Sequence, residues 1–429
     1  MIEKENKIFV LIIYCIIISF FMLLLCGRFL GTQIQKSEAN KGDSETIEID
    51  WESRFPYKKN IDTIKYEVQN NDVNTEINLS SIASKLENIG SSYAMLIYRY
   101  DDIAKIGYVI KSKLADVSVG SSYIKLNNGY WIQACTNKID KSQTDKTIVD
   151  YVSLQEYVKS QGKGFIYFST PQKECKYDNQ LPEGAVSYTN QHIDTCIESL
   201  KDYGVNYVDL RENLHEQGLD HYSMFYASDH HWTINSGLWA ASEISKEINE
   251  QYGLAMRNPS DIGTYHEVVF KNAEFGSAGV GVTHYLCNAE DFIIPYPDFN
   301  TLFKLEVPSK GVNTEGSFDE LFIDIEQIKQ IINEGGGSAY GKILYGNQPY
   351  EKIINLNNTA GPKILMIRDS FSIAVAPYLA EVCSELVLLD VRPTNGNFNG
   401  SIVSCIDEFN PDIVLVLQCT PYKIKLNKD

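Results

Sequence analysis

Two short segments of the 429-residue chain carry residue types that do chemistry. The first is Ser228-Asp229-His230-His231-Trp232-Thr233, placed just before a long stretch of helical apolar spacing. The second is Lys363-Ile364-Leu365-Met366-Ile367-Arg368-Asp369-Ser370-Phe371-Ser372, where an apolar strand pattern runs through Asp-Ser directly into a helix pattern. A serine hydroxyl is a poor nucleophile until a histidine takes its proton, and that histidine needs a carboxylate to orient its other nitrogen. Asp229 and His231, two apart on a turn or strand, point the same way and can meet as such a pair, with His230 facing elsewhere. Ser370 falls at a strand–helix junction, where unpaired backbone N–H groups and the helix dipole can stabilise a developing oxyanion.

Each residue also has a plainer use. Asp and Ser are both favoured helix caps, so Asp229, Asp369 and Ser370 can serve only that purpose. His231 can be a core histidine with its hydrogen bonds satisfied, and Trp232 can be packing. Asp-His-His offers three metal ligands, but adjacent histidines on one turn seldom converge on an ion, and the chain has no second His-rich motif. No metal and no cofactor are therefore expected. Arg368, Asp369, Phe371, Tyr226, Trp232 and Asn395 are the candidates for oxyanion or substrate contacts, with Asn397 and Asn399 as further asparagines near by. The loop Gly276-Ser277-Ala278-Gly279 can line a cleft or be an ordinary turn.

The elements that must position these residues alternate. Tyr123 to Gln133 changes polarity residue by residue across Asn127-Asn128-Gly129 and predicts a β-hairpin. Strand patterns at 165–168, 205–210, 364–367, 386–389 and 413–417 are interleaved with helix patterns at 188–203, 232–252, 373–382 and 400–409. Thr233 is a favourable cap for the second of these helices. Apolar strands alternating with helices predict an α/β domain of three layers with a central, mostly parallel sheet. Between about 290 and 361 the regularity lapses around Gly335-Gly336-Gly337, which predicts an insertion outside the core. That glycine run lacks the Lys-Ser/Thr of a phosphate loop.

Composition sets the outer bounds. Hydrophobic residues make up 44% and charged residues 22%, the balance of a folded chain. A net charge of −18 opposes binding to phosphate backbones, which excludes nucleic acid as a partner. Ile8 to Cys26 is an uncharged apolar run long enough to cross a bilayer as a helix. Leucines stand where a cleavage site needs small residues, so an uncleaved anchor is expected. Basic residues flank it almost evenly (Lys4 and Lys7 before, Arg28 and Lys36 after), so length decides the orientation, with the bulk of the chain outside the cell. The expected division is a tail and anchor at 1–27, a stalk at 28–60 and one domain at 61–429. The cysteines show no zinc-type spacing and assign no disulfide; Cys383, Cys405 and Cys419 sit in apolar patterns and are expected to be buried.

Asp-His-His-Trp-Thr, followed far downstream by strand-Asp-Ser-Phe-helix with Pro377-Tyr378-Leu379, resembles the DHHW subgroup of the SGNH hydrolase-like family. That family includes the alginate O-acetylation proteins of the AlgX and AlgJ type. The stretches Tyr167 to Lys173, Val208 to Arg211 and Leu389 to Arg392 are similar to its recurring segments. The resemblance implies a circularly permuted order, with Ser370 as nucleophile, His231 as general base and Asp229 as its orienting partner. It also implies O-acetyl transfer or O-acetylester hydrolysis on an exported polysaccharide, often beside a multipass membrane-bound O-acyltransferase. Two departures stand out: Arg368 occupies the position of the family's Gly before Asp-Ser, and its oxyanion Gly and Asn have no evident counterpart. A fold kept by a non-catalytic polysaccharide-binding or assembly protein is the alternative.

Overall fold

The computed structural model describes residues 118–119, 123–282, 287–334, 337–392, 398 and 400–427. The apolar run at 8–26, the stalk at 28–60, and Asn395, Asn397 and Asn399 lie outside the described residues. Among those described, no helix is long and apolar enough to cross a membrane. All of them belong to the second of two compact units, Ile110–Asp429.

That unit opens with a small antiparallel sheet of β1 (Ser118–Val119), β2 (Tyr123–Lys125) and β3 (Trp131–Gln133), turned at Gly129 with φ of +94°. A repeating strand–helix chain follows: α1 (Lys141–Ser160), β4 (Gly164–Ser169), α2 (Thr189–Asp202), β5 (Tyr207–Asp209), α3 (Leu210–Glu216) and α4 (Ile234–Tyr252). An antiparallel ribbon of β6 (Tyr265–Glu274) and β7 (Glu290–Pro297) flanks the short α5 (Ser277–Val282). Then come β8 (Phe303–Val307), β9 (Val312–Gly316), α6 (Phe318–Phe322) and α7 (Ile325–Glu334). The chain ends with β10 (Tyr350–Asn355), β11 (Lys363–Arg368), α8 (Ser372–Val382), β12 (Glu385–Asp390), α9 (Ile402–Phe409) and β13 (Ile413–Gln418).

Eight strands form one sheet in the order β5-β4-β13-β11-β12-β10-β8-β9. The first five are parallel to their neighbours. Their apolar runs are buried on both faces, so alternate residues feed two separate cores. Phe165, Leu365, Ile367, Val387 and Val414 pack under α1, α2 and α9. Ile166, Ile364, Met366, Leu386 and Leu415 pack under α4 and α8. The three layers expected from the alternation are present.

The stretch at 290–361 differs from expectation. It is no irregular insertion, because β10, β8 and β9 extend the main sheet antiparallel to β12. The reason lies in their one-sided burial. In β8, Phe303, Leu305 and Val307 are buried, while Lys304 and Glu306 are only partly so. Polar residues at every second place hide a strand from any search for continuous apolar runs.

The seven cysteines among the described residues are all unpaired. Cys383 is buried as expected, whereas Cys405 and Cys419 are only half-buried.

Candidate active site

Ser370 stands two residues after the end of β11 and two before the start of α8, at the carboxyl end of the parallel strands. The turn is fixed by Asp369. Its Oδ1 accepts the Phe371 amide at 2.9 Å, and its Oδ2 accepts the Cys419 amide at 3.2 Å from just beyond β13. The Ser372 hydroxyl donates to the Asp369 carbonyl at 2.7 Å. Ser370 is thus held at the mouth between two strands and keeps a residual exposure of 8%.

His231 and Asp229 lie on the turn before α4. Thr233 caps that helix, its hydroxyl accepting the Ser236 amide at 3.2 Å, and Gly253 closes it in the left-handed region at φ of +62°. His231 Nε2 stands 2.8 Å from Ser370 Oγ, and His231 Nδ1 stands 2.5 Å from Asp229 Oδ1. Asp229 Oδ1 also accepts the His231 amide at 2.8 Å, and its Oδ2 accepts the Ser277 amide at 2.6 Å. Burial by itself would raise the Asp229 carboxyl. The His231 hydrogen bond, the charges of His231 and His230 and the Ser277 amide outweigh it, and the carboxyl is held far below its ordinary value. The arrangement can deprotonate a serine hydroxyl and stabilise the imidazolium that results.

The same turn could be asked to hold a cation, since ligand atoms of Asp229, His230 and His231 lie within 4.8 Å of one another. Those atoms are already engaged. An ion would have to take His231 from Ser370 and Asp229 from the Ser277 amide, while His230 Nδ1 is 2.7 Å from Ser277 Oγ.

The candidates for oxyanion and substrate contact fare differently. Arg368 is fully buried, with Nη2 donating to Glu351 Oε2 at 2.5 Å and to the Gln348 carbonyl at 3.0 Å. It is a core ion pair and offers nothing to a substrate. Asp369 is the turn brace just described. Trp232 is fully buried, its indole N–H donating to the Phe371 carbonyl at 2.9 Å, so it ties the two segments together beneath the site. Phe371 is buried against Trp232 at 5.2 Å and against His231 at 5.4 Å between ring centroids, and its amide is spent on Asp369. Tyr226 is buried beside Phe292. The backbone N–H of Ser370 itself has no hydrogen-bond partner among the described residues.

Several positioning residues escaped the sequence. Tyr340 lies in the stretch where the strand–helix regularity lapses, and no local spacing marks it. Its ring stacks on His231 at 4.1 Å and 11°, and its hydroxyl donates to the Ser370 carbonyl at 3.0 Å. Gly276 was visible only as part of a glycine-rich loop. A Cβ there would stand 2.0 Å from Asp229 Oδ2, so only glycine lets α5 present the Ser277 amide to that carboxylate.

Residues 134–271 match the family of SGNH hydrolase-like domains of the acetyltransferase AlgX. The chain resembles these AlgX-type domains. The match contains Asp229 and His231 and ends before Ser370. Among solved structures, Bacillus cereus PatB1 with a sulfonyl adduct is similar at a TM-score of 0.54 and 17% identity, over 70% of this chain and 98% of PatB1. A second structure of Bacillus cereus PatB1 gives 0.53 and 18%, over 73% and 99%. A DHHW family protein from Eubacterium siraeum DSM 15702 gives 0.49 and 17%, over 72% and 96%. At these identities the likeness to PatB1 shows a shared fold. A comparison with curated proteins gives no match.

Proposed function

We propose that this chain is a serine acyl-transfer enzyme that moves an O-acetyl group to a sugar hydroxyl of an exported polysaccharide, or to water. The observation that carries the reading is the continuous relay from Asp229 Oδ1 through the His231 ring to Ser370 Oγ, at 2.5 and 2.8 Å. His231 takes the Ser370 proton as Oγ attacks the ester carbonyl. The Ser370 amide faces the developing oxyanion, and His231 returns the proton to the leaving oxygen. The acyl-Ser370 ester then passes its acyl group to a second hydroxyl, activated by the same imidazole. Transfer and hydrolysis use the same residues and differ in whether the cleft holds a sugar and excludes water.

The AlgX-type match over 134–271 supports the acetyl-transfer part of the proposal, and the polysaccharide acceptor is what the resemblance to the alginate O-acetylation proteins implies. The apolar run at 8–26 adds an anchor, with the domain outside the cell and a multipass O-acyltransferase as the supplier of acyl groups. The feature that favours the non-catalytic alternative is Arg368 at the position of the family's Gly. That side chain is spent on Glu351, and nothing in its placement disarms Ser370.

The test is acetate release from a chromogenic acetyl ester together with labelling by an arylsulfonyl fluoride, comparing the parent chain with Ser370→Ala. Loss of both with the substitution is expected. Labelling that persists in the Ser370→Ala chain refutes the assignment.

A further inference from the structure

The turn that carries Asp229 and His231 is anchored by two side chains of opposite charge, one half-buried and one buried, that the chemistry above does not use. Glu290, the first residue of β7, accepts the Ala227 amide on Oε1 at 2.9 Å and the Ser228 amide on Oε2 at 2.6 Å. Lys173, in the loop after β4, is 3% exposed, and its Nζ donates to the Ala227 carbonyl at 3.1 Å and to the Trp131 carbonyl at 2.8 Å. Both backbone groups of Ala227 are therefore held by charged groups, two residues before Asp229. The Trp131 amide adds a bond to the Ala227 carbonyl at 3.2 Å, and the Gly279 amide donates to the Ser228 carbonyl at 2.8 Å.

We propose that Lys173 and Glu290 are positioning residues, a clamp on Ala227 and Ser228 that sets the Asp229–His231 pair against Ser370. The proposal rests on the acyl-transfer reading for its purpose and on geometry for its existence. A buried charge is costly to keep, and neutral groups would serve if the turn needed only to be folded. Charge-assisted hydrogen bonds are shorter and stiffer than neutral ones, which suits a segment whose next residue must be placed to a fraction of an ångström. Charge also has a second use here. Asp229 on the turn and Glu290 at the start of β7 bring two carboxylates to one short segment, and the Lys173 ammonium lies in the field of both.

The groups facing Lys173 come from every side. Tyr130 of the hairpin presents its ring at 6.0 Å, Asp229 and His230 lie on the clamped turn, and Glu290 and Cys287 lie at the start of the ribbon. Burial pushes the Lys173 ammonium down to about 8, with Asp229, Glu290 and Cys287 opposing the fall. It is protonated at neutral pH and loses its proton just above, so the clamp weakens on the alkaline side. The Tyr130 hydroxyl, raised by burial and by Glu290, titrates later.

The experiment measures, on the full chain, the rate of Ser370 labelling by an arylsulfonyl fluoride across neutral and alkaline pH, alongside the low-field proton signal of the His231–Asp229 hydrogen bond. Lys173→Met and Glu290→Gln are expected to slow labelling by about 100-fold, the scale of a small misplacement of reacting groups, and to abolish the low-field signal while circular dichroism stays that of the folded chain. Lys173→Arg, which does not titrate, should restore labelling and remove the alkaline decline. If Lys173→Met does not fold, Glu290→Gln and Lys173→Arg carry the comparison. Wild-type labelling rates and an intact signal in Glu290→Gln would overturn the clamp. A wild-type chain that is never labelled defeats the acyl-transfer reading instead, and the proton signal in the variants still decides whether the clamp exists.

Discussion

The ring of Tyr340 lies flat on the His231 imidazole, 4.1 Å between centroids and 11° from parallel, while its hydroxyl donates to the Ser370 carbonyl at 3.0 Å. One side chain therefore fixes the base and the backbone of the proposed nucleophile together. Tyr340→Phe keeps the stacked face and loses the hydroxyl, so a modest drop in kcat is expected. Tyr340→Ala removes the wall that stops the imidazole from tilting, and kcat should fall by about 100-fold with KM little changed. Steady-state kinetics on an acetyl ester checks this. Equal losses in the two variants would assign the effect to the hydroxyl alone.

Helices α4 and α8 carry the two halves of the site, and they touch through a glycine. A Cβ at Gly237 would stand 2.1 Å from the Ala374 carbonyl oxygen, backbone that cannot swing aside. Gly237→Ala should push the helices apart, destabilise the domain by about 1–3 kcal/mol as overpacking does, and lengthen the His231–Ser370 contact. Urea unfolding and labelling rate should both change. A variant with unaltered stability would mean that the helices separate freely, and the site would then be less rigid than its contacts indicate.

Gly276 is subject to the same argument at closer quarters. Gly276→Ala places a methyl group on the Asp229 carboxylate, so the residue that must move is the one orienting His231. Activity is expected to fall by more than folding stability does, because α5 is short while the carboxylate is in the relay. Comparing the unfolding midpoint with kcat separates the two effects. A loss of stability with kcat intact would show that α5 yields and the carboxylate does not.

How far the sequence alone reaches can be traced residue by residue. The Asp229–His231 pair and Ser370 were legible because their chemistry requires fixed types at fixed junctions, and the five parallel strands because burial on both faces leaves continuous apolar runs. Arg368 was misjudged for want of a partner. Strand alternation places it on the face of Ile364 and Met366, but Glu351, which neutralises it, lies in a strand buried on one face and so without a continuous apolar run. Tyr340 and Glu290 were invisible for a different reason. Each acts through a contact between segments more than sixty residues distant, or across the sheet, and no local spacing announces such a contact.

Buried carboxyls give the domain a pH dependence whose sign can be worked out. Burial, then repulsion from Asp229, pushes the Glu274 carboxyl up to about 8, and burial likewise pushes Glu381 up to about 8 against the opposing hydrogen bond from Tyr265. Between their ordinary value of 4.5 and about 8, the folded chain holds protons that the unfolded chain has released. Stability from these groups is present in full below the ordinary value and is lost as pH rises through the folded one. Asp229 works in the opposite sense. Its carboxyl is depressed in the folded chain, so its contribution is present above 3.8 and is lost as pH falls below that. The two trends leave a maximum in the mildly acidic range. Glu381 lies at the far end of α8 from Ser370, so Glu381→Gln tests the alkaline arm without touching the relay. Thermal unfolding across pH should show a midpoint that declines toward pH 8 in the parent chain and declines less in Glu381→Gln. Identical slopes would mean that the Glu381 carboxyl is ionised in the folded state, with its uncommitted Oε1 reached by water.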